Sequence, residues 1–362
     1  MRKLASVQRI ISLSAIEGAD KIEKAVVLGW EVVVKKGDFN AGDLCVYCEI
    51  DSILPSKPEF EFLRERKFRI KTIKLKGQVS QGICFPLDIL PKKYHEGDDV
   101  TDVLGIKKYD PQAEYERKES ERLGNIKRYR LIKFFMRYPW YRRLIFKPSK
   151  LPFPEWIKKT DEDRIQLFPG ICEREKDTVF QVTEKLDGQS ATYFVIKNPS
   201  WTKIFKPYLF GVCSRNFQIL KPDGQSYWRV AKELDIKTKL LFVAERYNYE
   251  SIVVQGEIIG SKIQDNKYSF KNNCLYVFNV YLNGTQCDYI NSQLWANDVG
   301  LRHVPLLDEN AHLPATISKV VEMAKGKSAI EGIPREGLVW RNYDKNISFK
   351  VVNPDFLLKY GE

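Results

Sequence analysis

The stretch Thr183-Glu184-Lys185-Leu186-Asp187-Gly188-Gln189-Ser190 sets a lysine two residues ahead of an Asp-Gly pair. β-type runs flank it, at residues 177–182 upstream and 191–196 downstream. Asp-Gly between two such runs is a strong turn signal, so one reading is a tight hairpin and nothing more. K-x-D-G is also short enough to arise by chance. Its weight comes from the segments that follow.

Four of them come in a fixed order. Residues 211–216 offer Arg215 beside small polar side chains, and Glu257 lies between Gly256 and Gly260 after an apolar run. Residues 275–281 read as a strand with Phe278 at its centre. Glu336-Gly337-Leu338-Val339 is followed closely by residues 348–353, which carry Lys350. Each residue type has a task in one reaction. A lysine amine is a nucleophile once it loses its proton, and an ordinary lysine with a pKa near ~10.4 is mostly protonated. A neighbouring cation such as Lys350, or a bound metal, is expected to depress that value. Attack on a nucleotide α-phosphate needs cations on the phosphate oxygens and on the departing pyrophosphate. Asp187, Glu257 and Glu336 are hard oxygen ligands for Mg²⁺ or Mn²⁺, directly or through water. An aromatic and an aliphatic side chain can sandwich a purine. Taken singly, a Glu in a G-E-I-I run or a Phe in a strand is ordinary surface or core; the ordered set is harder to attribute to chance.

A chain of 362 residues most naturally holds two domains, and a 43% hydrophobic content supplies real cores. Lys and Arg number 59 against 47 Asp and Glu, for a formal charge of +12. That balance favours a polyanionic partner such as nucleic acid, with a membrane surface or plain solubility as alternatives. No apolar run approaches the length of a membrane span, and the N-terminus lacks a signal-peptide core. Seven cysteines without framework spacing suit reduced thiols in a cytoplasmic or nuclear compartment. Cys45 and Cys48 lie three apart in strand-like sequence and so point to opposite faces, which argues against a shared zinc.

The first hundred residues read as short strands with turns, the pattern of a small OB-type β-barrel. Within it, residues 69–76 alternate basic or polar with apolar. The expected cationic strand carries Arg69, Lys71, Lys74 and Lys76, either turned to RNA or guarding a sheet edge from aggregation. Residues 113–122 are charged and helix-prone. Residues 127–150 carry nine Lys or Arg, no acid, and interleaved aromatics from Phe134 to Phe146. Base stacking with phosphate contact is one use for such a run; an amphipathic helix against a neighbouring domain or a membrane is the other. The expected division is an OB-type domain at 1–105, a basic helical linker at 106–159 and an α+β domain at 160–362. Gly326-Lys327-Ser328 is not a P-loop, since Val321 stands where the first glycine is required.

With these residues in place, the chain resembles the covalent nucleotidyltransferase superfamily of ligases and capping enzymes, the five segments resembling its motifs I, Ia, III, IIIa and IV with V. The order of domains is similar to that of the fifth RNA ligase family, which places an OB module before the catalytic domain. Residues 160–166 resemble the lead into that domain, and residues 260–268 the continuation of motif III. The resemblance implies ATP-grasp-like antiparallel sheets with helices, ATP and Mg²⁺ or Mn²⁺ as cofactors, and an RNA partner with 5′-phosphate and 3′-hydroxyl ends, a nicked duplex among the candidates. It implies no membrane and no obligate protein partner. Lys185 would be adenylated, and Glu184, Arg215, Glu257, Phe278, Val339 and Lys350 would hold the nucleotide. Asp187, Glu257 and Glu336 would serve the metal, and Arg164 would join Arg69, Lys71, Lys74 and Lys76 on RNA. One departure is Val352, where some RNA ligases carry a second lysine. The expected activity is ATP-dependent joining of RNA ends through a lysyl-AMP. A capping guanylyltransferase shares K-x-D-G but carries its OB module after the catalytic domain, whereas this chain stops at Glu362, twelve residues past Lys350. The same missing module disfavours a DNA ligase. A non-catalytic RNA-binding protein would explain charge and aromatics alone.

Overall fold

Strand alternation builds the first domain. In Trp30–Lys35, Trp30, Val32 and Val34 turn inward while the residues between them stay partly open. That strand closes a meander with Ser12–Ile16 and Ala19–Val27. Ala5–Arg9, Leu44–Cys48 and Ile83–Phe85 form a second antiparallel set. Both sets wrap one apolar core that runs from Leu4 to Ile106 and includes Val7, Trp30, Tyr47 and Phe60. This is a small β-barrel, as the pattern of short strands and turns implies. The computed structural model describes residues 3–126, 138, 149–222 and 226–360. Most of the basic aromatic run at 127–150 therefore lies outside the described residues.

The expected strand over residues 69–76 is broken. Arg69 makes only an isolated bridge to Ile53, and the strand proper is Ile73–Leu75, paired with Gln78–Ser80. Lys76 and Gly77 both have positive φ between them, the two-residue hairpin turn that Gly eases. A continuous cationic face is therefore absent. Arg69 is spoken for by Asp51 at 2.5 Å and by the Tyr109 ring, 3.6 Å below its guanidinium. Lys74 donates to the Leu358 carbonyl at 2.7 Å, while Lys71 and Lys76 remain exposed.

Beyond the barrel, helix Pro111–Ile126 leans on the second domain: Gln112 Nε2 donates to the Asn216 carbonyl at 2.7 Å, and the Tyr115 and Phe217 rings lie 5.0 Å apart. Lys150–Pro152 pairs with Phe217–Ile219, and Phe153 and Ile157 sit in a core with Phe194, Val253 and Tyr281. Packing of the second domain thus begins ahead of Thr160.

That domain contains two sheets, antiparallel except where Arg302–His303 runs parallel to Cys274–Leu282. The larger has Gln189–Lys197 at its centre, between Tyr208–Ser214 and Ser251–Ile259, with Cys274–Leu282 next. Helices Ser226–Glu233 and Ile236–Arg246 bury Val230, Ile236 and Leu240 against its outer face. The smaller sheet runs Leu306–Ala311, Phe180–Lys185, Gly337–Asn342 and Ile347–Val352. Its core stacks Trp340 on Phe349 at 6.1 Å, with Phe180 edge-on to both.

The hairpin reading of Asp187-Gly188 fails here. Phe180–Lys185 and Gln189–Lys197 do not pair; they belong to different sheets. The chain crosses between sheets at Leu186-Asp187-Gly188. A Cβ on Gly188 would stand 2.3 Å from the Ile258 carbonyl oxygen, so the crossing is tight enough to require glycine.

The last helix, Pro354–Tyr360, wedges between the domains. Its Leu357 packs with Val352 and with Val79 of the barrel. The apolar Val352, where a lysine was the alternative, is thus part of the domain contact.

Candidate active site

The crossing puts Lys185 at the end of one sheet, facing the acids of the other. Lys185 pairs with Gly337 across the smaller sheet, which brings the preceding Glu336 alongside; Lys185 Nζ lies 2.5 Å from Glu336 Oε1. From the larger sheet, Ser190 pairs with Glu257. Residues of both sheets line a cavity of about 330 Å³ that includes Lys185, Arg215, Glu257, Phe278, Glu336, Val339 and Lys350. A larger cleft of about 670 Å³ shares Asp161, Glu162 and Arg341 with this cavity, but Lys185, Glu257, Glu336 and Lys350 do not line it.

Phe278 reaches the cavity through a β-bulge. Gln255 pairs with Asn279 but Gly256 pairs with Val277, so Phe278 is the extra residue. Leu275, Val277 and Val280 turn to the helix-covered core, and the bulge resets the alternation between the last two. Val339 stands opposite both Thr183 and Lys350 in the smaller sheet. Glu184 borders the cavity, yet its buried carboxylate accepts from the Ala329 amide at 2.7 Å, and burial pushes its pKa up.

A second cleft, of about 580 Å³, continues from this cavity toward the barrel and shares Lys185, Asp187, Arg215, Glu336 and Lys350 with it or its rim. Arg69, Arg164 and Lys267 add three more cations there. Arg164 is buried, with its guanidinium 5.3 Å from the Trp30 ring of the barrel. Lys71, Lys74 and Lys76 do not line this cleft.

The electrostatics differ from expectation at the nucleophile. Burial works to lower the Lys185 pKa, but Glu336, Glu257 and Asp187 outweigh it and hold the lysine above its ordinary value. Lys350 is the depressed lysine instead: burial, then Lys185, Arg164 and Arg215, bring it down to about 8. Glu257 is pushed up to about 8, chiefly by burial and against the pull of Lys185.

Among the described residues no three His, Cys, Asp or Glu side chains converge tightly enough to grip a metal by themselves. Asp187 is paired with Lys267 at 2.5 Å and Glu336 with Lys185. Glu336 Oε2 is nonetheless buried without a hydrogen-bond partner, and Glu257 stands beside Lys185, Glu336 and Asp187. These donors fit a hydrated divalent cation that also leans on phosphate oxygens, the usual manner of Mg²⁺.

A model of the RNA ligase family matches residues 178–360, just over half of the chain. The chain belongs to the RNA ligase family. An OB-fold domain model matches residues 4–87 of the ligase. Comparison with curated proteins returns no match. Solved structures of the Naegleria gruberi RNA ligase are similar over the full length. A variant with ATP and Mn is 30% identical at a TM-score of 0.71, covering 100% of both chains. The form with PPi is 30% identical at 0.70, covering 99% of each chain. A variant with AMP and Mn has the same identity, score and coverage.

Sequence reading passed over how the ligase holds this site together. Residues 160–164 thread its mouth and bond to both sheets. Thr160 Oγ1 meets Ser190 Oγ at 2.9 Å, and Asp161 pairs with Arg215 at 2.5 Å. Glu162 accepts from Arg341 at 3.0 Å and from Ser348 at 2.5 Å, and the Asp163 carbonyl accepts from the Lys350 amide at 2.8 Å. Arg341 also donates to the Phe278 carbonyl at 3.0 Å, tying the smaller sheet to the bulge of the larger. The acid-rich run at 161–163 was the available signal; its partners lie far away in sequence.

Proposed function

We propose that Lys185 is the nucleophile of an ATP-dependent RNA ligase that joins a 5′-phosphate to a 3′-hydroxyl. The observation that carries this reading is the position of Lys185 Nζ, where the nucleotide-sized cavity meets the cationic cleft. Adenine suits the wall of Phe278 and Val339, which leaves the phosphates toward Lys185, Lys350 and Arg215. Glu336, 2.5 Å from Nζ, is placed to take the lysine's proton. Nζ then attacks the α-phosphorus; a P–N bond forms and the P–O bond to pyrophosphate breaks. An oxygen of the RNA 5′-phosphate displaces Nζ from the AMP, and the 3′-hydroxyl finally displaces AMP from that phosphate. Asp187, Glu257 and Glu336 would hold Mg²⁺ or Mn²⁺, which supplies neutralisation of phosphate charge. Arg164 and Arg69, on the barrel side, suit the RNA end. The seven free thiols support a reducing compartment.

Incubation with ATP or GTP labelled at the α-phosphate, followed by a denaturing gel, tests this directly. An AMP-labelled band supports it; a GMP label would point to capping chemistry, and no label to a binding protein. The label should need Mg²⁺ or Mn²⁺ and vanish in EDTA, and full labelling in chelator would sink the metal assignment.

Lys350 predicts a pH signature. It is cationic below its pKa of about 8 and neutral above, so phosphate binding weakens as pH rises through that value. The KM for ATP should stay flat below pH 8 and climb above it, approaching about tenfold per pH unit. Lys350→Met should raise KM at neutral pH and remove the climb; a variant that keeps the climb would reassign it.

A further inference from the structure

We propose that an aromatic track along the central strand pair holds the RNA arm flanking the break, a reading that rests on RNA being the substrate. Gln189–Lys197 and Tyr208–Ser214 run side by side, in register from Ala191 opposite Ser214 to Lys197 opposite Tyr208. Their cleft end carries Ser190, paired with Glu257, and leads to Arg215. Their far end turns through residues 198–207. There stand Trp201, Ile204 and Phe205, at 78%, 80% and 84% exposure the most open large apolar side chains among the described residues.

This turn is firmly braced. Asn198 Nδ2 donates to Thr202 Oγ1 at 3.1 Å and to the Lys206 carbonyl at 2.8 Å, and its Oδ1 accepts from the Ser200 amide at 3.0 Å. Ser200 caps the short 3-10 turn Trp201–Ile204. Rings held out on such a scaffold lose little freedom when something stacks on them. The cationic side chains are Lys203 and Lys206, with Lys197 paired to Glu250; no acid lies between residues 197 and 207.

The platform connects back to the cleft. Ser190, Thr192, Phe194 and Ile196 share one face of their strand, and Phe153 and Ile157 pack over its middle, burying Phe194. On Phe194 the half-exposed Trp156 sits edge-on at 5.3 Å, followed in sequence by Lys158 and Lys159. Trp156 and the exposed Lys158 and Lys159 thus lie over the same strand, between its Ser190 end and the outer turn. From Ser190 to Lys197 the strand spans roughly 23 Å at ~3.3 Å per residue. That is roughly seven nucleotides of stacked strand at ~3.4 Å each. Alternating cations and rings are what a nucleic-acid strand engages through phosphates and bases. An anionic lipid surface would use Lys203, Lys206 and the apolar tip but has no use for the line back to Trp156.

The test uses the full chain with Trp201→Ala/Phe205→Ala, and separately Lys203→Glu/Lys206→Glu, all at exposed positions. Broken RNAs are supplied with flanking arms of about four or about twelve nucleotides. Both variants should raise the KM for long-armed RNA about tenfold or more. The KM for short arms and the ATP labelling of Lys185 should not move. Equal losses on both arm lengths, or none on the long one, would overturn the track. So would unchanged RNA kinetics with lost binding to phosphatidylserine vesicles, which would assign the turn to a lipid surface. Failure of the wild-type chain to take label from ATP would instead strike at the ligase chemistry, leaving the two readings separable.

Discussion

Lys185→Ala is expected to abolish transfer of AMP to the protein, with no labelled band at any ATP concentration. The side chain stands where the two sheets meet, and among the described residues the other lysine lining that cavity is Lys350, whose place suits the phosphates. Lys185→Arg should fail equally, because a guanidinium stays protonated and cannot attack. Both variants should still bind ATP, since Phe278, Val339, Arg215 and Lys350 are untouched. Sealing of an RNA that already carries a 5′-adenylate separates the steps: it bypasses the nucleophile and should persist in part. A Lys185→Ala protein that still takes label would remove Lys185 from its role.

The largest loss of stability is expected from Arg341→Met. The Arg341 side chain is 8% exposed and bonds both Glu162 and the Phe278 carbonyl. Removing it leaves a carboxylate without its cation and a carbonyl without its donor. Breaking a buried pair from one side costs about 3–5 kcal/mol, a large part of the ~5–15 kcal/mol that keeps a domain folded. The melting temperature should fall by roughly 10 °C. Adding Glu162→Met should recover part of that fall, because the orphaned charge goes with it. At a temperature where the single variant is still folded, its KM for ATP should rise, since the bulge that aims Phe278 has lost its tie. A melting temperature within a degree or two of wild type would show that the Arg341–Glu162 pair is not what joins the sheets.

What the sequence disclosed follows a physical division. Lys185, Glu257, Phe278, Glu336 and Lys350 were legible because each sits in a short run whose residue types and order are themselves the signal. The alternation in Trp30–Lys35 announced a half-buried strand in the same local way. Long-range pairing was not legible. Asp187-Gly188 carries every local mark of a hairpin, yet the requirement on Gly188 comes from Ile258, seventy residues on. The bulge at Phe278 depends on a register shift that neither strand shows alone. Arg69 read as a free strand cation because its partners Asp51 and Tyr109 lie on other elements. The direction of the Lys185 shift depends most on Glu336 and Glu257, which only the fold brings within range, with the sequence neighbour Asp187 adding to them.

The last helix has one more implication. On one side it touches the barrel, through Leu357 against Val79 and the Leu358 carbonyl that receives Lys74. On the other, Phe356 and Tyr360 hold the Lys267 ammonium at 5.0 and 5.3 Å, and that ammonium holds Asp187. A strand that shifts the barrel therefore acts, through one short helix, on a carboxylate two residues from the nucleophile. Such a linkage must run both ways: if RNA tightens the hold on nucleotide by some factor, nucleotide tightens the hold on RNA by the same factor. Any coupling carried by the helix is one free energy shared by both ligands.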